Sequence, residues 1–187
     1  MHSLLYYHPS ICHRCFSRFS PRFLKFNVFK YQGLAIFDYD EIIKEKLYQF
    51  KGCSDYELKS IFLEYFAHYL SIKYHGYIMV PAPSYIESNN KRGFNHVKEI
   101  FSLLKLKMCS CIHKIDDVKQ SDCSASEREK IGKHLLIDLN INLYKKKVLI
   151  VDDVFTTGST VKAMIKLLEK CKPKRIKILV MSKTKIT

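Results

Sequence analysis

Two adjacent carboxylates run into a series of small hydroxylic residues at Asp152-Asp153-Val-Phe-Thr156-Thr157-Gly158-Ser159-Thr160. The second half of this segment is suited to an anion. Thr156, Thr157, Ser159 and Thr160 bring hydroxyls and successive backbone N–H groups to what reads as a helix start, where the positive end of the helix macrodipole lies. Gly158 lets the backbone approach a ligand closely. Asp152 and Asp153 would repel a phosphate, so they need a different partner. Vicinal ribose hydroxyls can donate to a carboxylate pair while the loop holds the 5′-phosphate, and the pair could help retain Mg²⁺ in a partly hydrated shell. Asp152 and Asp153 are therefore the catalytic candidates, and residues 152–160 form the candidate ribose-phosphate loop.

The elements that must position this loop are legible on either side of it. The apolar run Val148 to Val151 predicts a buried strand, Ser159 to about Lys170 a helix stopped at Cys171-Lys-Pro173, and Ile176 to Met181 a last strand. This β-α-β unit has a parallel crossover, and it places the loop at the carboxyl end of a strand, where open α/β sheets bind ligands. Further upstream, Leu34–Phe37 predicts a strand and Ile43, Leu47 and Phe50 a helix closed at Gly52. Ser54-x-x-Glu57 has the form of a capping box, and Leu58, Ile61, Phe62, Tyr65, Phe66, Tyr69 and Leu70 form one apolar stripe of a second helix. Tyr77–Val80 predicts a strand ended by Pro81-Ala-Pro83. A polar loop through Asn90–Asn95 and a helix carrying Val97, Ile100, Phe101 and Leu104 follow. Residues 116–133 are polar and predict a long mobile loop. The expected architecture is α/β, a mainly parallel sheet with helices on both faces.

Composition narrows the class. With 47% hydrophobic and 27% charged residues over 187 positions, the chain is an ordinary globular sequence, large enough for one α/β domain and a small appendage. Residues 1–31 read as that appendage and 32–187 as the domain. No apolar stretch reaches membrane-spanning length and the first residues lack a secretory core, which places the chain in the cytoplasm. Seven unevenly spaced cysteines (Cys12, Cys15, Cys53, Cys109, Cys111, Cys123, Cys171) do not form a disulfide framework. Lysine and arginine number 32 against 18 acidic residues, a surplus of +14 that attracts polyanions such as nucleic acid or an anionic membrane surface.

Val148 to Thr160 resembles the phosphoribosyl-diphosphate (PRPP) binding signature of type I phosphoribosyltransferases. Val80-Pro-Ala-Pro83, Lys91-Arg92-Gly93-Phe94-Asn95-His96 and Gln120 with Arg128 resemble stretches of the ComF family of competence-associated proteins. The resemblance covers residues 34–182. It implies the type I phosphoribosyltransferase fold, PRPP and Mg²⁺ as ligands, and contacts to the diphosphate from Pro83, Ser84, Lys91 or Arg92 and Arg128, the last from a closing loop. It also implies an association with DNA uptake, with single-stranded DNA and competence helicase or recombination proteins as partners. The family's amino-terminal zinc module has two Cys pairs. This chain has Cys12-x-x-Cys15 alone, so Zn²⁺ would need His2, His8 or His13 as well. The chain departs from the family at His96, where Gln is usual, and at Ile131, where Asn is usual. No general base or nucleobase pocket is readable. A phosphoribosyl transfer enzyme, a ribose-phosphate-sensing or DNA- and protein-binding adaptor, and a nucleobase salvage enzyme all remain open.

Overall fold

Strand residues buried on both faces need cover on both sides, and the two most continuous apolar runs of this chain lie in the interior of its main sheet. The structure is a computed structural model that describes residues 10–114, 128–130 (backbone), 135–138 and 140–185. The chain begins with a short helix, α1 (His13–Ser17), and a hairpin of β1 (Leu24–Val28) and β2 (Tyr31–Asp38). Helices α2 (Glu41–Gly52) and α3 (Ala67–Lys73), strand β3 (Tyr77–Pro81) and helices α4 (Ile86–Arg92) and α5 (His96–Ser102) follow. Then come β4 (Ile112–Lys114), β5 (Arg128–Lys130), β6 (Leu135–Asp138), β7 (Lys147–Phe155), helix α6 (Ser159–Lys170) and β8 (Arg175–Lys183). The main sheet has the order β1-β2-β8-β7-β3. All its pairings are parallel except the β1–β2 hairpin. Strands β4, β6 and β5 form a separate antiparallel sheet.

Each face of the main sheet has its own core. On one face Ile43, Leu47 and Phe50 of α2, Leu70 of α3 and Val97, Ile100 and Phe101 of α5 cover Leu149, Val151, Leu179 and Met181. On the other, Val161, Met164, Ile165, Leu167 and Leu168 of α6, with Ile112 and Ile137 of the small sheet, cover Val148, Ile150, Ile178 and Val180. The expected α/β architecture and the β7-α6-β8 crossover are present, with α6 starting at Ser159 as the sequence predicts.

Three expectations change. The helix expected after Ser54 is broken into 3-10 turns at Tyr56–Lys59 and Glu64–Phe66 before α3. Ser54 is left-handed, at φ 57°, and does not cap. Leu63, outside the predicted stripe, is fully buried, whereas Tyr65 and Tyr69 are 37% and 50% exposed. Tertiary packing overrides the helical period here. Phe16 stacks on Tyr65 with ring centroids 4.0 Å apart, the Tyr65 hydroxyl donates to the Ile11 carbonyl, and Ser10 N–H donates to Glu64. Second, the polar loop expected at Asn90–Asn95 is in part the last turn of α4, which ends on left-handed Gly93, a common helix stop. Its sequence, without a buried residue, offered no apolar period to read. Third, the loop expected over 116–133 includes a paired strand, since Arg128–Lys130 pairs with β6. Residues 115–127 and 131–134, Gln120 among them, lie outside the described residues.

The boundary expected between residues 31 and 32 falls inside the β1–β2 pairing. Phe16 and Phe19 are buried in the same core as α2 and α5. Phe16→Ala should therefore destabilise the whole domain, by about 3 kcal/mol, read as a single cooperative thermal transition moved down by roughly 6–12 °C. An unchanged midpoint would mean that residues 10–31 contribute nothing to the fold.

Candidate functional site

At the carboxyl ends of the strands, β7 carries Asp152 and Asp153 to the loop that starts α6. Alternation along the strand sends the two side chains in different directions. Asp152, partly exposed, lines a small recess with Thr156, Gly158, Ser159 and Thr160. The recess holds about 20 Å³, roughly one water, so a phosphate would sit at its mouth. Asp153 is 7% exposed and turns away from that recess. Its Oδ2 accepts from Lys51 Nζ at 2.5 Å and lies 3.2 Å from His96 Nε2.

Three helix ends meet at Asp153. Lys51 comes from the last turn of α2, His96 from the first of α5, and Arg92 from the last of α4. Arg92 Nη1 lies 2.7 Å from His96 Nδ1, and Arg92 Nε donates to the Lys51 carbonyl at 3.0 Å, which closes the ring. A guanidinium only donates, so Nδ1 must accept and Nε2 carries the proton toward Asp153. Burial alone would raise Asp153, but the hydrogen bond from His96 and the charge of Lys51 outweigh it and hold this carboxyl far below the usual carboxylate range. Burial, with Asp153 next to it, pushes Asp152 well above that range. Burial also lowers the Arg92 guanidinium.

The phosphate loop has its own construction. Gly158 is left-handed at φ 71° and, as the N-cap of the twelve-residue α6, brings no capping side chain, while the Ser159 N–H donates to Thr157 Oγ1 at 3.4 Å. The first turn of α6 holds no acid and instead contains Lys162, whose Nζ donates to the Thr157 carbonyl at 3.2 Å. A cation at a helix N-terminus opposes the macrodipole, and an anion bound there would relieve both. The Phe155 ring fills the space into which a Cβ on Gly158 would project. That ring packs at 4.6 Å against Phe26, which in turn covers Gly33. Thr156, Thr157 and Ser159 are exposed.

The neighbouring turn is fixed to the same end of the sheet. The Ala82 N–H donates to the Val151 carbonyl at 2.8 Å, and Ser84 Oγ exchanges hydrogen bonds of 2.9 Å with Asn89 and Asn95. Pro83 and Ser84 are half-buried beside Asp152's strand, and Lys91 is exposed on α4. Only the backbone of Arg128 is described. Cys12 and Cys15 are exposed, with Cys15 N–H donating to Cys12 Sγ at the start of α1. Among the described residues no group of three His, Cys, Asp or Glu could hold a metal, and His2 and His8 lie outside them. For Mg²⁺ the available donor is Asp152. One of its oxygens accepts the Asp153 N–H, and a cation at this carboxyl would lower its raised pKa and hold it ionised.

Sequence reasoning singled out the loop and Arg92 but missed Lys51 and Lys162, and met His96 only as a departure from a pattern. Lys162 had a readable signal, a lone cation four residues into a helix next to an anion loop. Lys51 had none, since it lies 102 positions from its partner.

Residues 91–185 match the phosphoribosyl transferase domain. With just over half its length in that match, the chain belongs to the phosphoribosyl transferase domain family, and its sheet is that of the type I fold. Within the family it is ComF-like. It is 29% identical over 143 residues to competence protein ComFC of Streptococcus pneumoniae, a match that takes in 76% of this chain and 64% of that protein. Solved structures with a related fold include adenine phosphoribosyltransferase from Saccharomyces cerevisiae (17% identity, 67% of this chain and 68% of that one, TM-score 0.46). Another is a hypoxanthine-guanine phosphoribosyltransferase from Bacillus anthracis (18% identity, 71% and 73%, TM-score 0.45).

The two adjacent aspartates should respond oppositely to neutralisation. Asp153→Asn leaves Lys51 and the Arg92–His96 pair without their anion and should cost about 2 kcal/mol, discounted because the Lys51 side chain is a third exposed. Asp152→Asn should stabilise at neutral pH. Because Asp153 is depressed in the folded state, its contribution is present above about pH 4, the unfolded value, and is lost as pH falls below it. Thermal melts from pH 3 to 8 check both signs, and equal effects of the two substitutions would refute the split. Gly158→Ala should collapse the loop geometry through both φ and the Phe155 ring, and a crystal structure of that variant with an unchanged loop would contradict this.

Proposed function

We propose that this chain binds the phosphoribosyl group of PRPP together with Mg²⁺ at the start of α6, as a ComF-like protein linked to DNA uptake. The observation that carries this reading is the α6 terminus that starts at a glycine N-cap, with Lys162 folded onto its loop and Asp152 on the same recess. Backbone N–H groups of the first turn and an ammonium recruit the 5′-phosphate. Asp152 is placed to accept from a ribose hydroxyl or to share the cation carried by the diphosphate. Asp153 acts through the helices it gathers, which hold the Pro83–Ser84 turn and Arg92 at the diphosphate side. Bound Mg²⁺ would supply charge neutralisation of departing diphosphate, while this chain's residues bind and orient the sugar. The link to DNA uptake rests on the likeness to competence protein ComFC, of which the match covers 64%.

A second reading is a ribose-phosphate-sensing adaptor without catalysis. It is favoured by the +14 charge surplus.

Calorimetric titration of PRPP with and without Mg²⁺ tests the first reading. Magnesium-dependent micromolar binding, weakened about tenfold or more by Asp152→Asn, is expected. Folded wild type that does not bind PRPP would overturn it. Diphosphate release with a panel of bases then separates the enzyme from the sensor.

A further inference from the structure

The end of the sheet opposite the loop carries a cavity that the phosphoribosyl site does not use. It holds about 320 Å³, at the lower end of the range for ligand pockets. Strand side chains make its floor. Lys25 and Asn27 come from β1, Gln32 from β2 and Lys177 from β8, while Lys73 and Tyr74 wall it at the C-terminal end of α3. The register explains the convergence. Lys25 pairs with Leu34 and Asn27 with Gln32 across the hairpin, so these side chains share the face of Leu34, while the Gly33–Ile178 pairing puts Gln32 next to Lys177. No Asp or Glu lines the cavity. Among the described residues neither Lys25 nor Lys177 has a carboxylate partner, and Lys73 donates to the neutral Tyr69 hydroxyl.

Three ammonium groups and two amides lining one recess without an acid leave uncompensated positive charge on a concave surface, which attracts a multivalent anion. The row extends beyond the cavity. Lys177 pairs with Leu149 and Arg175 with Lys147, and Lys147 in turn lies over the Tyr77 ring. From β1 to β7 this basic row crosses the sheet over about 14 Å, at about 4.8 Å per strand. It stands roughly 25 Å from the loop at the far end of β7, at about 3.3 Å per residue.

We infer that Lys25, Lys73 and Lys177, with Asn27 and Gln32, form a second anion site for a multiply charged phosphate ester of nucleotide size. Such a ligand can be a free nucleoside polyphosphate or the phosphates of a nucleic-acid strand, and none of these five residues lines the recess at α6.

The test compares wild type with Lys25→Gln/Lys177→Gln, with Asp152→Asn, and with Lys44→Gln/Lys166→Gln, which removes the same charge elsewhere. Each is titrated without Mg²⁺, at about 0.15 M salt, with ATP and with an oligothymidylate, and its fold is checked by circular dichroism. Lys73→Gln at the end of α3 is an independent variant should the strand substitutions unfold the protein. Affinity for ATP about tenfold or more lower in Lys25→Gln/Lys177→Gln, with the other two variants like wild type, identifies a free nucleotide as the ligand. The same loss confined to the oligothymidylate identifies strand phosphates. Affinities for both ligands that are absent in wild type, or untouched by the cavity substitutions, would overturn the site.

Discussion

A carboxylate brought inside a sheet has to be neutralised where it lies, because leaving it alone costs several kcal/mol. Asp153 sets that condition, and the carboxyl-end half of the molecule is arranged around it. Lys51 meets it only because Ile43, Leu47 and Phe50 seat α2 on the sheet. His96 meets it only because Gly93 ends α4 in time for α5 to begin at that position. Arg92 then joins two of the helices by bonding both His96 and the Lys51 carbonyl. One wall of the proposed ligand site is thereby held by hydrogen bonds of the chain itself, and preorganisation of this kind is where binding energy is best conserved.

The parts of the fold that repeat were legible in the sequence, and the parts made by contact between distant segments were not. Strand β7 and helix α6 follow from an apolar run, a glycine and an amphipathic period, all local. The segment from Ser54 to Leu70 has an equally good helical period and is not one helix, because Phe16 and Ile11 reach it from far away in the chain. The site divides in the same way. Thr156 to Thr160 could be named from composition alone. That Asp152 faces the ligand side while Asp153 serves the helices follows from strand alternation, which an adjacent pair of identical residues conceals.

The charge of the chain has a comparable structure. Much of a +14 surplus is dispersed, yet the amino ends of the strands collect lysines without acids, and the carboxyl ends mix two aspartates with Lys51, Arg92 and His96. One end is a compensated, hydrogen-bonded assembly with defined protonation. The other is an open positive field. The same parallel strands connect them.

The aromatic stack under the loop has a different implication. Gly158 rests on Phe155, Phe155 on Phe26, and Phe26 over Gly33. The foundation of the phosphate loop is therefore laid by the first strand of the sheet, more than a hundred residues upstream. A protein cut to begin at residue 32 would retain every residue of the signature while losing the ring that supports its floor. Enlarging either glycine or shrinking either ring would therefore call for an answering change elsewhere in the column.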